Sequence, residues 1–212
     1  MKLSEMFESP SSREVWSRLA QELGAQYWEQ PANYNYEGGD GRTVLLTVKE
    51  WAVWLEALSR PGDIYGDSYS KYRGSESVRM RAPYENKDGF RFAISRKHFL
   101  TAVEKFFGMQ DIEIGEPAFD EEFVIKGNDE AKVRALFANP RLRQLIQEQP
   151  YVSLQNRKSE ILPGANSLAE RTPRHELYFQ VRGDQAKDIR QLKALFEIFT
   201  EMLKQLRGIG SA

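Results

Sequence analysis

Two stretches, Val78-Arg79-Met80-Arg81-Ala82 and Phe90-Arg91-Phe92-Ala93-Ile94-Ser95, decide how this chain is expected to fold. Val78, Met80 and Ala82 alternate with Arg79 and Arg81; Phe90, Phe92 and Ile94 alternate with Arg91, Ala93 and Ser95. A strand sends successive side chains to opposite faces, so each stretch reads as a strand with one buried and one solvated face. Tyr84-Glu85-Asn86-Lys87-Asp88-Gly89 joins them and reads as a hairpin, because Asp-Gly tolerates the positive φ of such turns. Connections this short make a sheet antiparallel.

Outward from this pair, Thr43–Val48 is rich in β-branched residues and predicts another strand. Residues 51–58 are ambiguous. Trp51, Trp54, Leu55 and Leu58 fit a helical stripe, whereas Trp51, Val53 and Leu55 fit a strand. Phe119, Phe123 and Ile125 are read along one strand ending at Gly127, and Val152–Asn156 and Glu176–Arg182 complete the strands. Ser11 and Glu14 stand in capping-box spacing before the stripe Val15, Trp16, Leu19, Ala20 and Leu23, with Gly24 as the stop. Further helices are predicted at about residues 97–107, after Asn128 as a cap, after Asn139-Pro140, and from about Ala186 to Arg207 with Gly208 terminating. The fold class is therefore α+β: an antiparallel sheet of about six or seven strands, helices on one face, and a long C-terminal helix. Residues 1–212 are read as one domain, with a division into sub-lobes 1–115 and 116–212 left open.

Five words in the chain are distinctive: FGMQDI (Phe107–Ile112), FDEEFVIKGND (Phe119–Asp129), ALF (Ala135–Phe137), LYFQVRG (Leu177–Gly183) and LRGIGS (Leu206–Ser211). Through them the sequence resembles an uncharacterised bacterial family of hypothetical proteins. The resemblance implies a shared fold and a strand at residues 51–58. It implies no catalytic residue. The run Phe123–Asn128 before Ala135-Leu136-Phe137 is echoed by Phe179–Asp184 before Ala194-Leu195-Phe196, which fits either a duplication or the shared chemistry of strand-to-helix turns.

Composition narrows the function classes. The chain carries 30 basic and 31 acidic residues, for a net charge of −1, and lacks the basic excess of a nucleic-acid binder. It has no cysteine, which removes disulfide scaffolds, thiolate metal sites and cysteine nucleophiles. The start, Met1–Glu8, has no apolar core of a signal peptide, and no run approaches the length of a membrane span. A soluble, cytoplasmic protein without membrane insertion is expected.

No catalytic, metal or cofactor motif is read. The two histidines, His98 and His175, lie in neither a nucleophile-elbow nor a paired metal-ligand spacing. Gly38-Gly39-Asp40-Gly41 lacks the Lys-Ser/Thr pair of a phosphate loop. Asp111, Glu113, Glu116, Asp120, Glu121 and Glu122 fit a solvated strand face, with Asp120 and Glu122 opposite Phe119 and Phe123. Three surfaces remain as candidates. Arg79, Arg81 and Arg91, gathered by the hairpin, offer planar forks for a carboxylate or phosphate, or else pair with the acidic run. Tyr65, Tyr69 and Tyr72 stand in a Gly- and Ser-rich loop suited to recognition. Phe199, Leu203 and Leu206 belong to a heptad-like seam starting at Ile189, which fits packing within the chain or a helix-mediated homodimer. The functional expectation is a non-catalytic binding or protein-interaction module, acting on itself or on an unidentified protein partner. The alternative is an enzyme or small-anion-binding protein that uses the arginine cluster.

Overall fold

The computed structural model describes residues 12–30, 41–49, 51–59, 76–97, 109–150, 152–158, 175–182 and 188–212. The first half contributes α1 (Ser12–Leu23), β1 (Gln26–Gln30), β2 (Gly41–Val48), β3 (Trp51–Ser59), β4 (Glu76–Tyr84), β5 (Phe92–Arg96) and β6 (Gln110–Asp111). The second adds α2 (Pro117–Glu122), β7 (Phe123–Gly127), α3 (Glu130–Leu136), α4 (Pro140–Gln147), β8 (Ser153–Lys158), β9 (His175–Arg182) and α5 (Ile189–Gly208). The nine strands form one antiparallel sheet in the order β1-β2-β3-β4-β9-β8-β5-β7-β6.

The register aligns the apolar positions into a line. Tyr27, Val44, Leu55, Met80, Phe179, Leu154, Ile94 and Ile125 lie opposite one another in turn from β1 to β7. All but Tyr27 are at most 2% exposed, and each such burial stabilises by roughly 1.5–3 kcal/mol before entropy is subtracted. The core between this face and the helices is continuous. Its link at the sheet centre is an edge-to-face contact of Phe179 on β9 with Phe199 on α5, ring centroids 6.4 Å apart. Phe199, Leu203 and Leu206 are completely buried. Of the two readings of the seam, packing inside the chain is the one this structure displays.

Residues 51–58 are strand. Val48 lies opposite Trp51, so β2 and β3 close through a two-residue connection, with Lys49 at positive φ (54°) as tight hairpins require. Gly24 ends α1 at φ 64°, as expected. The strand count exceeds the expectation because β1 and the two-residue β6 are added at the two edges.

Four expectations are corrected. First, β4 and β5 are not a hairpin: β9 and β8 lie between them. Long-range hydrogen bonds outcompete the local turn. Asn156 of β8 accepts from the Phe92 N–H (2.8 Å) and donates to the Phe90 carbonyl (2.7 Å) and the Tyr84 hydroxyl (2.8 Å). Burial pushes the Tyr84 phenol up to about 12, against the opposing effect of the Asn156 hydrogen bond, so it stays protonated as a partner.

Second, residues 117–122 are helical. Pro117 sits in the first turn, where its missing N–H costs nothing. Phe119 and Phe123 still share a face because they are four residues apart, and their rings stack at 4.6 Å. Asp120 accordingly lies on no strand; its carboxylate accepts from the N–H groups of Ile114, Gly115 and Glu116. Third, Asn128 does not cap α3. Asp129 does, through the Lys132 N–H, while Asn128 is drawn to the Arg91 N–H and the Gly89 carbonyl. Fourth, α5 starts at Ile189 behind an Asp188 cap. The expected helix at 97–107 lies, beyond Lys97, outside the described residues, as does Ser11.

The crossover from β4 to β5 is clamped by the end of the chain. The Asp88 carboxylate accepts from the Phe90 N–H (2.9 Å), the Ser211 hydroxyl (2.7 Å) and the Lys132 ammonium. Burial works to raise its pKa, but these hydrogen bonds outweigh it and hold the carboxyl down at about 2. A depressed folded-state pKa contributes stability above the unfolded value of about 4 and loses it as pH falls towards the folded value. Asp88→Asn is therefore expected to flatten the loss of stability between about pH 4 and pH 2 relative to wild type, read by urea unfolding at each pH; parallel profiles would refute the role.

Gly127 closes β7 against α3. A Cβ there would lie 2.5 Å from Val133 Cγ2 and 3.1 Å from Ile112 Cδ1, and Val133 is completely buried. Gly127→Ala is expected to destabilise by about 1–3 kcal/mol in chemical denaturation; an unchanged midpoint would show that the turn relaxes freely.

Candidate functional site

The face of the sheet turned away from the apolar line carries the charge. Gln26, Leu45, Trp54, Arg81, Tyr178, Gln155, Ala93, Lys126 and Asp111 form a second line, running across all nine strands. One step along the strands, Trp28, Thr43, Glu56 and Arg79 are aligned from β1 to β4. One step the other way, Pro83, Glu176 and Arg157 are aligned from β4 to β8. The pairing of β3 with β4 stops at Trp54 and Arg81, short of Pro83, which has no N–H to donate.

Three guanidiniums and two carboxylates stand on this face in two paired groups. Arg81 reaches the diagonal residue Glu176, with Nε 2.9 Å and a terminal nitrogen 2.8 Å from Oε2. Arg157, directly opposite Glu176, places Nε 2.8 Å from the other oxygen, Oε1. The Arg157 guanidinium also lies over Tyr178, its central carbon 3.5 Å from the ring centroid. Arg79 places Nε 2.5 Å from Oε2 of Glu56, its cross-strand neighbour. The Arg81 and Glu176 side chains are 2% and 0% exposed. Arg79 and Arg157 are each 26% exposed, so each group has a sealed carboxylate and one accessible guanidinium.

Chemically this is a locked arrangement. Glu176 is held on both oxygens and Arg81 by a two-pronged contact, so an incoming anion at Arg81 would have to displace a buried carboxylate. Charge-assisted pairs are strong only while both members remain, and an orphaned buried charge is costly.

The structure brings together Arg79 and Arg81 of the predicted arginine set, and leaves Arg91 apart. Without the hairpin, β9 and β8 intervene, and the Arg91 side chain is exposed. The acidic run is likewise not the partner of Arg79 and Arg81. Among its members, Asp111 pairs with Lys126, Glu116 with Arg143, and Glu122 with Arg96. Tyr65, Tyr69 and Tyr72 lie outside the described residues. His175 faces Tyr84 and Lys158 in register; burial first, then the charges of Lys158 and Arg91, lower its pKa, which favours the neutral imidazole. Among the described residues, no group of three or more His, Asp or Glu side chains is placed to hold a metal ion. No helix among them is long and apolar enough to cross a membrane.

Glu56, Arg157, Glu176 and Tyr178 were missed by sequence reasoning. The available signal was phase: Glu176 and Tyr178 occupy the out-of-core positions of β9, as Arg79 and Arg81 do on β4. Compared with known proteins, the chain matches no family model, no curated protein and no solved structure.

Glu176→Ala leaves Arg81 buried without its carboxylate and is expected to cost about 3–5 kcal/mol, whereas replacing both members as Arg81→Met with Glu176→Leu should recover much of that loss. Urea unfolding of the three variants decides it. A single variant within about 1 kcal/mol of wild type would show a solvated pair of little weight.

Proposed function

We propose that this chain is a non-catalytic binding or protein-interaction module whose recognition surface is the polar face of its sheet. The observation that carries the reading is the pair of internally paired groups Glu56–Arg79 and Arg81–Glu176–Arg157. It holds the arginines against the sheet's own carboxylates, which argues against their serving as an anion clamp. Around the sealed centre, the same face bears partly exposed Trp54, Arg79 and Arg157, with exposed Trp28 at its edge. Tryptophan, tyrosine and arginine are the residue types that dominate protein-interface energetics, especially when their side chains are already held in place. A surface with its charges fixed by internal pairing loses little conformational entropy on docking.

The test sets this reading against the small-anion alternative. Thermal unfolding of the full chain is followed while inorganic phosphate or citrate is added at constant ionic strength. A shift no larger than that given by sodium chloride is expected. A saturable rise in the midpoint that disappears in Arg79→Gln would overturn the module reading in favour of an anion site.

A further inference from the structure

We infer that Asp88-Gly89 is a latent backbone modification site: it can close to a succinimide and reopen as isoaspartate, and the donors that hold the Asp88 carboxylate keep it shut.

The chemistry needs only two adjacent residues and water. The backbone nitrogen after an aspartate attacks the side-chain carboxyl carbon, and the new C–N bond closes a five-membered imide. One carboxylate oxygen leaves as water, taking the amide proton and one proton from solvent. Water then adds to either imide carbonyl. Opening one C–N bond restores aspartate; opening the other routes the main chain through the side chain and lengthens it by one methylene. Glycine hinders the attack least, because it has no Cβ.

Gly89 offers that nitrogen openly. It is exposed, a Cβ added there would meet no atom within 4 Å, and its N–H makes no hydrogen bond among the described residues. Its φ of 71° favours glycine, so the turn itself selects against the bulkier residues that would slow the attack.

The fold intervenes at the carboxylate. Asp88 Oδ1 accepts from the Phe90 N–H at 2.9 Å, and Oδ2 accepts from the Ser211 hydroxyl at 2.7 Å and from the Lys132 ammonium. Donors to the charged form keep it charged, and an oxygen that stays charged does not leave as water. They also fix the direction of the side chain. Lys132 comes from α3, and Ser211, completely buried, follows the end of α5. Two of the three restraints are therefore tertiary, and they lapse when this end of the chain lifts away.

Isomerisation would not leave the crossover as it is. Asn128 binds the Gly89 carbonyl (3.0 Å) and the Arg91 N–H (2.7 Å), and Asn156 binds Phe90 and Phe92. A main chain one methylene longer just before Gly89 shifts these groups against partners that are fixed on other elements. The modification is thus a lasting record that the clamp has opened.

The same dipeptide occurs once more, at Asp40-Gly41, and serves as an internal reference when the chain is unfolded. The full chain is incubated for days at neutral pH below its unfolding midpoint, then cleaved after arginine. Isoaspartate is read by electron-transfer mass spectrometry in the peptide from Ala82 to Arg91. In urea, Asp88-Gly89 should isomerise as fast as Asp40-Gly41. In the native chain it should be slower by about tenfold or more, the worth of one hydrogen bond to a charged group. Ser211→Ala and Lys132→Met should each raise the native rate several-fold, and Lys132→Met decides alone if Ser211→Ala does not fold. Val44→Ala, which weakens the core on β2 and leaves the clamp intact, should keep the wild-type rate. A native rate equal to the unfolded one, clamp variants no faster than wild type, or an equal rise in Val44→Ala would each overturn the inference.

Discussion

The ion pair of Arg81 with Glu176 exists only because nine strands keep one register. A strand repeats every two residues, so a slip by one would carry Arg81 into the core and Met80 out of it. The same alignment that lines up Val44, Leu55, Met80, Phe179, Leu154 and Ile94 on the core face lines up Trp54, Arg81 and Tyr178 on the other. Apolar burial specifies the register, and the register then delivers the charges to their partners. The dependence runs in that order, because an ion pair sealed from water recovers little beyond its own desolvation.

Two side chains hold the crossing that makes this order of strands feasible. The amide of Asn156 satisfies Phe90, Phe92 and Tyr84, and the amide of Asn128 satisfies Gly89 and Arg91. Between them they pin the chain as it leaves β4 and enters β5, with β9 and β8 lying between. Asp88 and Ser211 fasten the same crossing to the end of α5. The backbone groups of Gly89, Phe90, Arg91 and Phe92 on this connection are thus answered from within the protein, at a place where Asn156 is only 2% exposed.

The face that results is half structural and half available. Its centre is sealed and internally paired, while Trp54, Arg79 and Arg157 remain partly open and Trp28 stands at the edge. Rigid pairing at the centre restricts what the rim can do. It commits Arg81 to Glu176 and leaves a fixed pattern of aromatic and cationic groups around them.

By itself the sequence determined the things that depend on local period. The strands from Thr43 to Val48 and around Met80, Ile94 and Phe179, the helix start at Asn139-Pro140, the stop at Gly24 and the apolar stripe of α5 all followed from local sequence, and so did the shared face of Arg79 and Arg81. Only the tertiary structure decided which strands are neighbours. Asp88-Gly89 looked like a hairpin because turn chemistry is local, but Asn156, more than sixty residues away, offered hydrogen bonds that the hairpin lacked. For the same reason Arg91 fell away from its expected companions while Glu56, Glu176 and Arg157 joined them. Periodicity tells a residue which face to take; the partner it meets on that face is set by contacts between distant segments, and these leave no mark in the spacing of either one.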